Sequence, residues 1–295
     1  MSTYDFVIVG AGSSGSALAG RLATNNNTKI LLLEAGPKDY NPYIKLPIGY
    51  GKLFYDQSIN WKFYTEPEEN LNGKKMYWPR GKVLGGSSSI NAMVFARGSR
   101  NDFDEWGANA SGWSWDEIEP FFRKMETWKG KSDQSRGQSG PVRVTDVSTQ
   151  AHPLTNCYLE ATEQIGISKN PDYNTGNIEG SFVYQTNTHK GLRSSASNAY
   201  LSPIKKQKNL VVITRALVKK ILFEGARAIG VEYSHKGSPN IVHATKEIIL
   251  SAGALGSPQL LQISGIGPAE KLKDLNIKVL SDLPDVGLHL KDHIG

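Results

Sequence analysis

Three glycines, Gly10, Gly12 and Gly15, sit with Ser13 and Ser14 directly after the apolar run Tyr4-Asp5-Phe6-Val7-Ile8-Val9. A short β-branched run of this kind predicts a strand buried on both faces. Ala17, Leu18, Arg21, Leu22 and Ala23 then follow a helical pattern up to the polar break at 25–27. A second apolar run, residues 29–33, ends on Glu34, 19 residues after Gly15. Each residue type has a use in holding a pyrophosphate. Gly10 permits the strand-to-helix turn, Gly12 lets backbone approach the phosphates, and Gly15 lets the helix pack on the strand. The helix start offers free N–H groups and a partial positive charge. A carboxylate at the position of Glu34, followed by Ala35, can accept from ribose hydroxyls. A bare G-x-G-x-x-G could be a turn without a ligand; set between two strands, with the acid at this distance, it predicts a dinucleotide site.

A second unusual stretch runs Arg80-Gly81-Lys82-Val83-Leu84-Gly85-Gly86-Ser87-Ser88-Ser89-Ile90-Asn91-Ala92-Met93-Val94. The paired glycines remove side chains so that backbone can lie against a flat ligand, and the serines can cap a helix start. Arg80 adds a cation. A plain capped turn would explain the serines but not the glycines, so this stretch reads as a second wall of the same cofactor site. Near the C-terminus, residues 246–250 form another apolar strand ending on Ser251 and Ala252. Small residues at a strand's carboxyl end leave room for a ligand. Ser257 and Pro258 fit the N-cap and first position of a helix that stops at Gly265.

These motifs together resemble the glucose–methanol–choline (GMC) family of flavin-dependent alcohol oxidoreductases. Residues 80–91 are similar to its first signature, residues 97–106 to the continuation of that signature, and residues 253–267 to its second signature. The resemblance implies FAD as cofactor, with contacts at Gly10, Gly12, Ser13, Ser14, Gly15, Glu34, Ala35, Arg80, Val83, Gly86, Ser87, Ser251 and Ala252. It also implies that Asn91, Ala92, Met93 and Val94 pass beside the isoalloxazine ring and that the backbone of Val218 meets the adenine. In such proteins a hydride leaves an alcohol carbon for flavin N5 while a base takes the hydroxyl proton. Family members are longer and carry that base near their C-terminus, so no catalytic residue is expected here. The chain is expected to be the first part of such a protein, lacking a closing strand. The end segment resembles Val-Gly-x-Asn-Leu-x-Asp-His, with His289 in place of Asn. His289 and His293 have a metal-compatible spacing, but a metal is not expected without a third ligand.

The elements that position these residues follow from the remaining sequence. At 295 residues, 39% apolar and 21% charged, the chain can bury a substantial core in one large domain or two joined ones. The expected fold is α/β, a Rossmann-type FAD-binding domain with the beginnings of an α+β substrate-binding layer. Its core is expected at about 1–37, 80–100 and 205–295, and its cap segments at about 38–79 and 101–204. The aromatic-rich segment 38–79 is long for a connection within a Rossmann unit, and reads equally as a ligand cover or a satellite core. Ser114 and Glu117 form a capping box opening a helix that Pro120 should kink or delay. Residues 129–140 read as a flexible surface loop, and 153–165 as a helix capped by Gly166. Strands are expected at 210–215, 217–223 and 228–234 as hairpin neighbours, and at 277–280.

A net charge of +6 and a pI near 9.1 come from scattered Lys and Arg, which argues against nucleic acid as a partner. No apolar run approaches the ~20 residues of a membrane span, and no signal peptide is visible. The lone Cys157 reads as a buried hydrophobe in a reducing, cytoplasmic setting, with peripheral membrane association compatible. The expected partner is a small alcohol; the sequence leaves oligomeric state open. His152, His189, His235 and His243 lie in no motif. A flavoprotein reduced by NAD(P)H would need a second G-x-G-x-x-G, and residues 225–230 have the wrong spacing. A non-catalytic FAD-binding module is the remaining alternative.

Overall fold

The computed structural model describes residues 3–131 and 134–292. They fall into two compact units. One takes the residues up to Ile44, Gly49–Ile90, and those from Ala196 on; the other takes Lys45–Ile48 and Asn91–Ser195.

The first unit is built on β1 (Thr3–Val9), β2 (Ile30–Glu34), β3 (Leu210–Thr214), β4 (Ala216–Glu224), β5 (Arg227–His235) and β6 (Ser238–Leu250), in the order β4-β5-β6-β1-β2-β3. β6, β1, β2 and β3 run parallel, with Val9 level with both Leu33 and Leu250. β4 and β5 extend the sheet as an antiparallel meander. Because side chains alternate across a strand, Val7, Val9, Leu31 and Leu33 join one buried cluster with Ala216, Ile221, Val231, Val242 and Leu260. Ile8, Ile30 and Leu32 join another with Ala11, Ala19, Ala23 and Leu201. Burying each such Leu or Ile contributes about 2 kcal/mol, which is why β1 and β2 read as continuous apolar runs. The helix α1 (Ser13–Leu22) covers one face. The helix α2 (Gly253–Ile263) places Leu260 in the cluster on the other.

Several expectations are corrected here. The strands at 210–215 and 217–223 are not hairpin neighbours: β3 lies beside β2 and β4 at the opposite edge. The chain breaks at Arg215, whose φ of 58° ends the strand. β3 completes the parallel layer because Val212 packs against the apolar face that β2 offers. α2 begins at Gly253, not Ser257, so Pro258 lies inside it. The strand expected at 277–280 is found at Ser281–Asp282, paired with Ile266–Gly267. Residues 49–79 belong to the sheet unit. Trp61 N–H donates to the Arg80 carbonyl at 2.9 Å and Lys82 N–H to the Ile59 carbonyl at 2.7 Å. Ile44, Leu53, Ile59, Val83 and Ile90 form a small buried cluster there.

The second unit holds helices Arg100–Asn109, Trp115–Met125 and Pro153–Gln164 and two short strand pairs. The Ser114–Glu117 capping box is present, and Pro120 sits within the helix without ending it. A second capping box, Ser99 with Asp102, opens the preceding helix. The segment expected to be a flexible loop carries a buried anchor. Arg136 is buried, donating to both oxygens of Glu126, to Asp172 and to Gln185, and lies 3.9 Å from the Trp128 ring centre. Arg97 shares the Glu126 carboxylate. The loop lacks apolar residues, so charge ties it down instead. Cys157, expected inside, is exposed on its helix. Among the described residues no helix is long and apolar enough to cross a membrane.

Candidate functional site

The carboxyl ends of β1, β2 and β6 converge on a cleft of about 680 Å³ in the sheet unit. That is where a doubly wound sheet leaves its crevice. Chain reversal at the end of β1 depends on Gly10, whose φ is 97° and whose missing Cβ would stand 2.5 Å from the Ser251 carbonyl oxygen. Only glycine meets both conditions. Ser251 locks the reversal from the neighbouring strand by donating its hydroxyl to the carbonyls of Val9 (3.0 Å) and Gly10 (2.8 Å). A side chain on Gly15 would overlap the Gly10 carbonyl, so α1 packs tightly on the turn.

The cap of α1 is Gly12, with no side-chain hydrogen bond and no acid in the first turn. Its first N–H groups therefore remain open to a ligand, with the positive end of the helix dipole behind them. The second glycine turn faces this point. Gly85 N–H donates to the Ala11 carbonyl at 2.8 Å. A Cβ on Gly86 would come within 2.6 Å of the Gly12 Cα, whereas a Cβ on Gly12 would meet only the Gly86 Cα, at 3.9 Å. The two glycine-lined turns, 70 or so residues apart, thus face one cleft. The serine turn expected to open a helix is a single 3-10 turn, Gly86–Ser89.

Glu34 is buried; its Oε2 accepts from Ala11 N–H at 2.9 Å and its Oε1 from Gly36 N–H at 2.8 Å. Burial pushes its carboxyl up to about 7 even though both N–H donors and Lys82 favour the charged form. Arg80 lies at the cleft wall, with its guanidinium 5.3 Å from the Trp78 ring centre and 3.7 Å from Asp292.

Of the residues read from sequence, Gly10, Gly12, Ser13, Ser14, Glu34, Ala35, Arg80, Gly86, Ser87, Val218, Ser251 and Ala252 line the cleft. Gly15 is buried in α1, and Val83 sits in the small apolar cluster, supporting the wall from behind. Val218 lies beside a register irregularity in the β4–β5 ladder, a device that re-aims backbone. Asn91, Ala92, Met93 and Val94 belong to the second unit. There Asn91 receives Arg193 Nη1 on both its backbone and side-chain oxygens at 2.7 Å. Met93 is buried with a φ of 64°, an uncommon conformation for a residue with a side chain. His289 Nε2 is 3.3 Å from Asp285; His293 lies outside the described residues.

Sequence reasoning missed Trp61, Phe63, Leu217, Leu255, Gln259 and Ile263 as lining residues. The signal for Trp61 and Phe63 was the aromatic-rich segment that left a ligand cover open as one reading. The signal for the last three was the small-residue end of β6, which places the following helix along the cleft.

A model of the GMC oxidoreductase family matches residues 4–295. The chain belongs to the GMC oxidoreductase family. It is 43% identical over 295 residues to an oxygen-dependent choline dehydrogenase of Photobacterium profundum, covering 99% of this chain and 52% of that protein. Among solved structures it is similar to a pyridoxine 4-oxidase, named as from Mesorbium loti, with a TM-score of 0.92 and 34% identity over 96% of this chain and 56% of that one. A second similar structure is an FAD-dependent oxidoreductase from Chaetomium thermophilum, with a TM-score of 0.89 and 35% identity over 95% of this chain and 51% of that one. The chain thus spans about half the length of the relatives it matches, and in this GMC sequence that half carries both glycine turns.

Proposed function

We propose that this chain holds FAD for an oxidoreductase acting on the CH–OH group of an alcohol, a choline-type alcohol among the candidates. The carrying observation is the pair of glycine turns facing one cleft at the carboxyl ends of parallel strands. The donor set suits a dinucleotide. An uncapped helix start and Arg80 suit a pyrophosphate, and the open face of Gly12 leaves it room. The buried carboxylate of Glu34 suits a ribose diol, and Leu217, Val218, Leu260 and Ile263 suit a flat apolar ring. A cleft of this volume lies within the usual range of cofactor sites.

When bound, the flavin supplies the hydride acceptor for alcohol oxidation. This chain's own part is binding and orientation: Ser251 fixes the first turn, Gly85 docks the second onto it, and α1 presents N–H groups to charge. Gly15 and Val83 support these walls, while Asn91, Ala92, Met93 and Val94 are proposed to run along the ring. No residue here is assigned as the base. The single cysteine supports a reducing, cytoplasmic setting. The test is equilibrium dialysis of the purified chain against FAD, read by the flavin absorbance retained. Retention at one FAD per chain is expected; no retention would sink the reading. Anaerobic addition of choline and other alcohols to the full-length protein should then bleach the flavin band. A bound flavin that no alcohol bleaches would leave a binding module without turnover.

A further inference from the structure

Glu34 does more at this cleft than line it. Its two oxygens accept from two N–H groups that lie on different turns, Ala11 in the first glycine turn and Gly36 in the turn leaving β2. Each of those residues is fastened in turn to the segment 82–85. The Ala11 carbonyl accepts from Gly85 N–H at 2.8 Å. A side chain on Gly36 would overlap the Lys82 carbonyl, so those backbones are in direct contact. Pro37, next in the chain, accepts from Leu84 N–H at 3.0 Å. One carboxylate therefore links both walls of the cleft through peptide groups.

We propose that Glu34 is a positioning residue that holds the two turns in register only when ionised, so that dinucleotide capture is coupled to loss of one proton from this side chain. The proposal rests on the FAD reading above. An ionised carboxylate accepts at both oxygens, as found here. Protonation makes one oxygen a hydroxyl, a poor acceptor for an N–H, and the link through that oxygen is weakened. The binding-competent fraction then follows the ionised fraction.

The surroundings set where this happens. Lys82 is the charged group acting on Glu34 from the segment behind it, and its ammonium is engaged 4.6 Å from the Trp61 ring centre. Arg80 lines the same cleft. β1 presents Val9 level with Leu33, β3 presents Thr214 level with Glu34, and the first turn of α1 has no acid. Burial outweighs the pull of Lys82 and the two N–H donors and brings the carboxyl to about 7, so the switch falls near neutral pH.

FAD binding is measured by flavin fluorescence between about pH 5.5 and 8.5, with calorimetry in two buffers of different ionisation enthalpy. The dissociation constant should be flat above about 7 and rise about tenfold for each pH unit below it. About one proton should be released per FAD near pH 6. Glu34→Gln should bind more weakly and without this pH dependence. Binding that is flat with pH, or that takes up a proton, would overturn this proposal while leaving the FAD reading intact. Absence of binding at every pH would overturn both. If the variant does not fold, the proton count on the parent chain still decides.

Discussion

Gly12→Ala should separate holding the fold from holding the ligand. Gly12 has φ −72° and ψ −159°, extended backbone that alanine adopts without strain. Its Cβ would meet nothing within 4 Å but the Gly86 Cα, at 3.9 Å. The ligand-free chain should therefore change in stability by less than about 0.5 kcal/mol. The methyl would nevertheless stand in the cleft beside the first N–H groups of α1, where a phosphate must come within hydrogen-bonding distance. A hydrogen bond to a charged group is worth about 1.5–3 kcal/mol. Losing two of them weakens FAD by about 3–6 kcal/mol, or roughly 10²- to 10⁴-fold. Thermal melting of the ligand-free protein and a fluorescence titration with FAD measure the two halves independently. Gly10→Ala is the contrast: a positive φ and a Cβ 2.5 Å from the Ser251 oxygen should cost the fold itself. An unchanged FAD affinity in Gly12→Ala, within about threefold, would refute the placement of the phosphates at this turn. Loss of folding in that variant would refute the steric account of the facing turns.

Glu34 should also mark the pH dependence of stability in the ligand-free protein. Its folded-state carboxyl is raised from 4.5 to about 7, so its contribution is fully present below about 4.5 and is lost as pH rises through about 7. The loss is about 3 kcal/mol, read as the difference between parent and Glu34→Gln in urea unfolding across that range; parallel curves would contradict it. Arg136→Met strips partners from Asp172 and from one side of Glu126, whose side chain is fully buried, and should cost about 3–5 kcal/mol. A loss under about 1 kcal/mol in the same assay would show that Arg97 alone satisfies the cluster. Cys157, exposed on its helix, should react with a thiol reagent in the native protein as fast as after denaturation; strong native protection would contradict its placement.

Much of the site was written in local sequence. The three glycines after β1, Glu34 at the end of β2, and the small residues after β6 are each dictated by a short-range need: a turn, a close approach, a free corner. Those needs are met within a few residues of chain, so type and spacing reveal them. Capping boxes are local for the same reason, and Ser114 with Glu117 was legible. What could not be read was pairing across long separations. β3 and β4 adjoin in sequence and both read as strands, yet sit at opposite edges of the sheet, because the choice of neighbour depends on which apolar face is left uncovered. Arg136 looked like part of a polar loop because its partners Glu126 and Asp172 lie outside it. Cys157 looked buried because a residue type predicts burial only on average.

The sequence by itself determined that two glycine-rich turns and an acid would be built for close backbone approach to a phosphate-bearing ligand, since nothing but glycine serves there. Tertiary structure alone decided that the two turns share one cleft, that Trp61 and Phe63 line it, and that Glu34 joins its walls. Those facts rest on peptide groups brought together by sheet order, and a peptide group is the same at every position in the sequence.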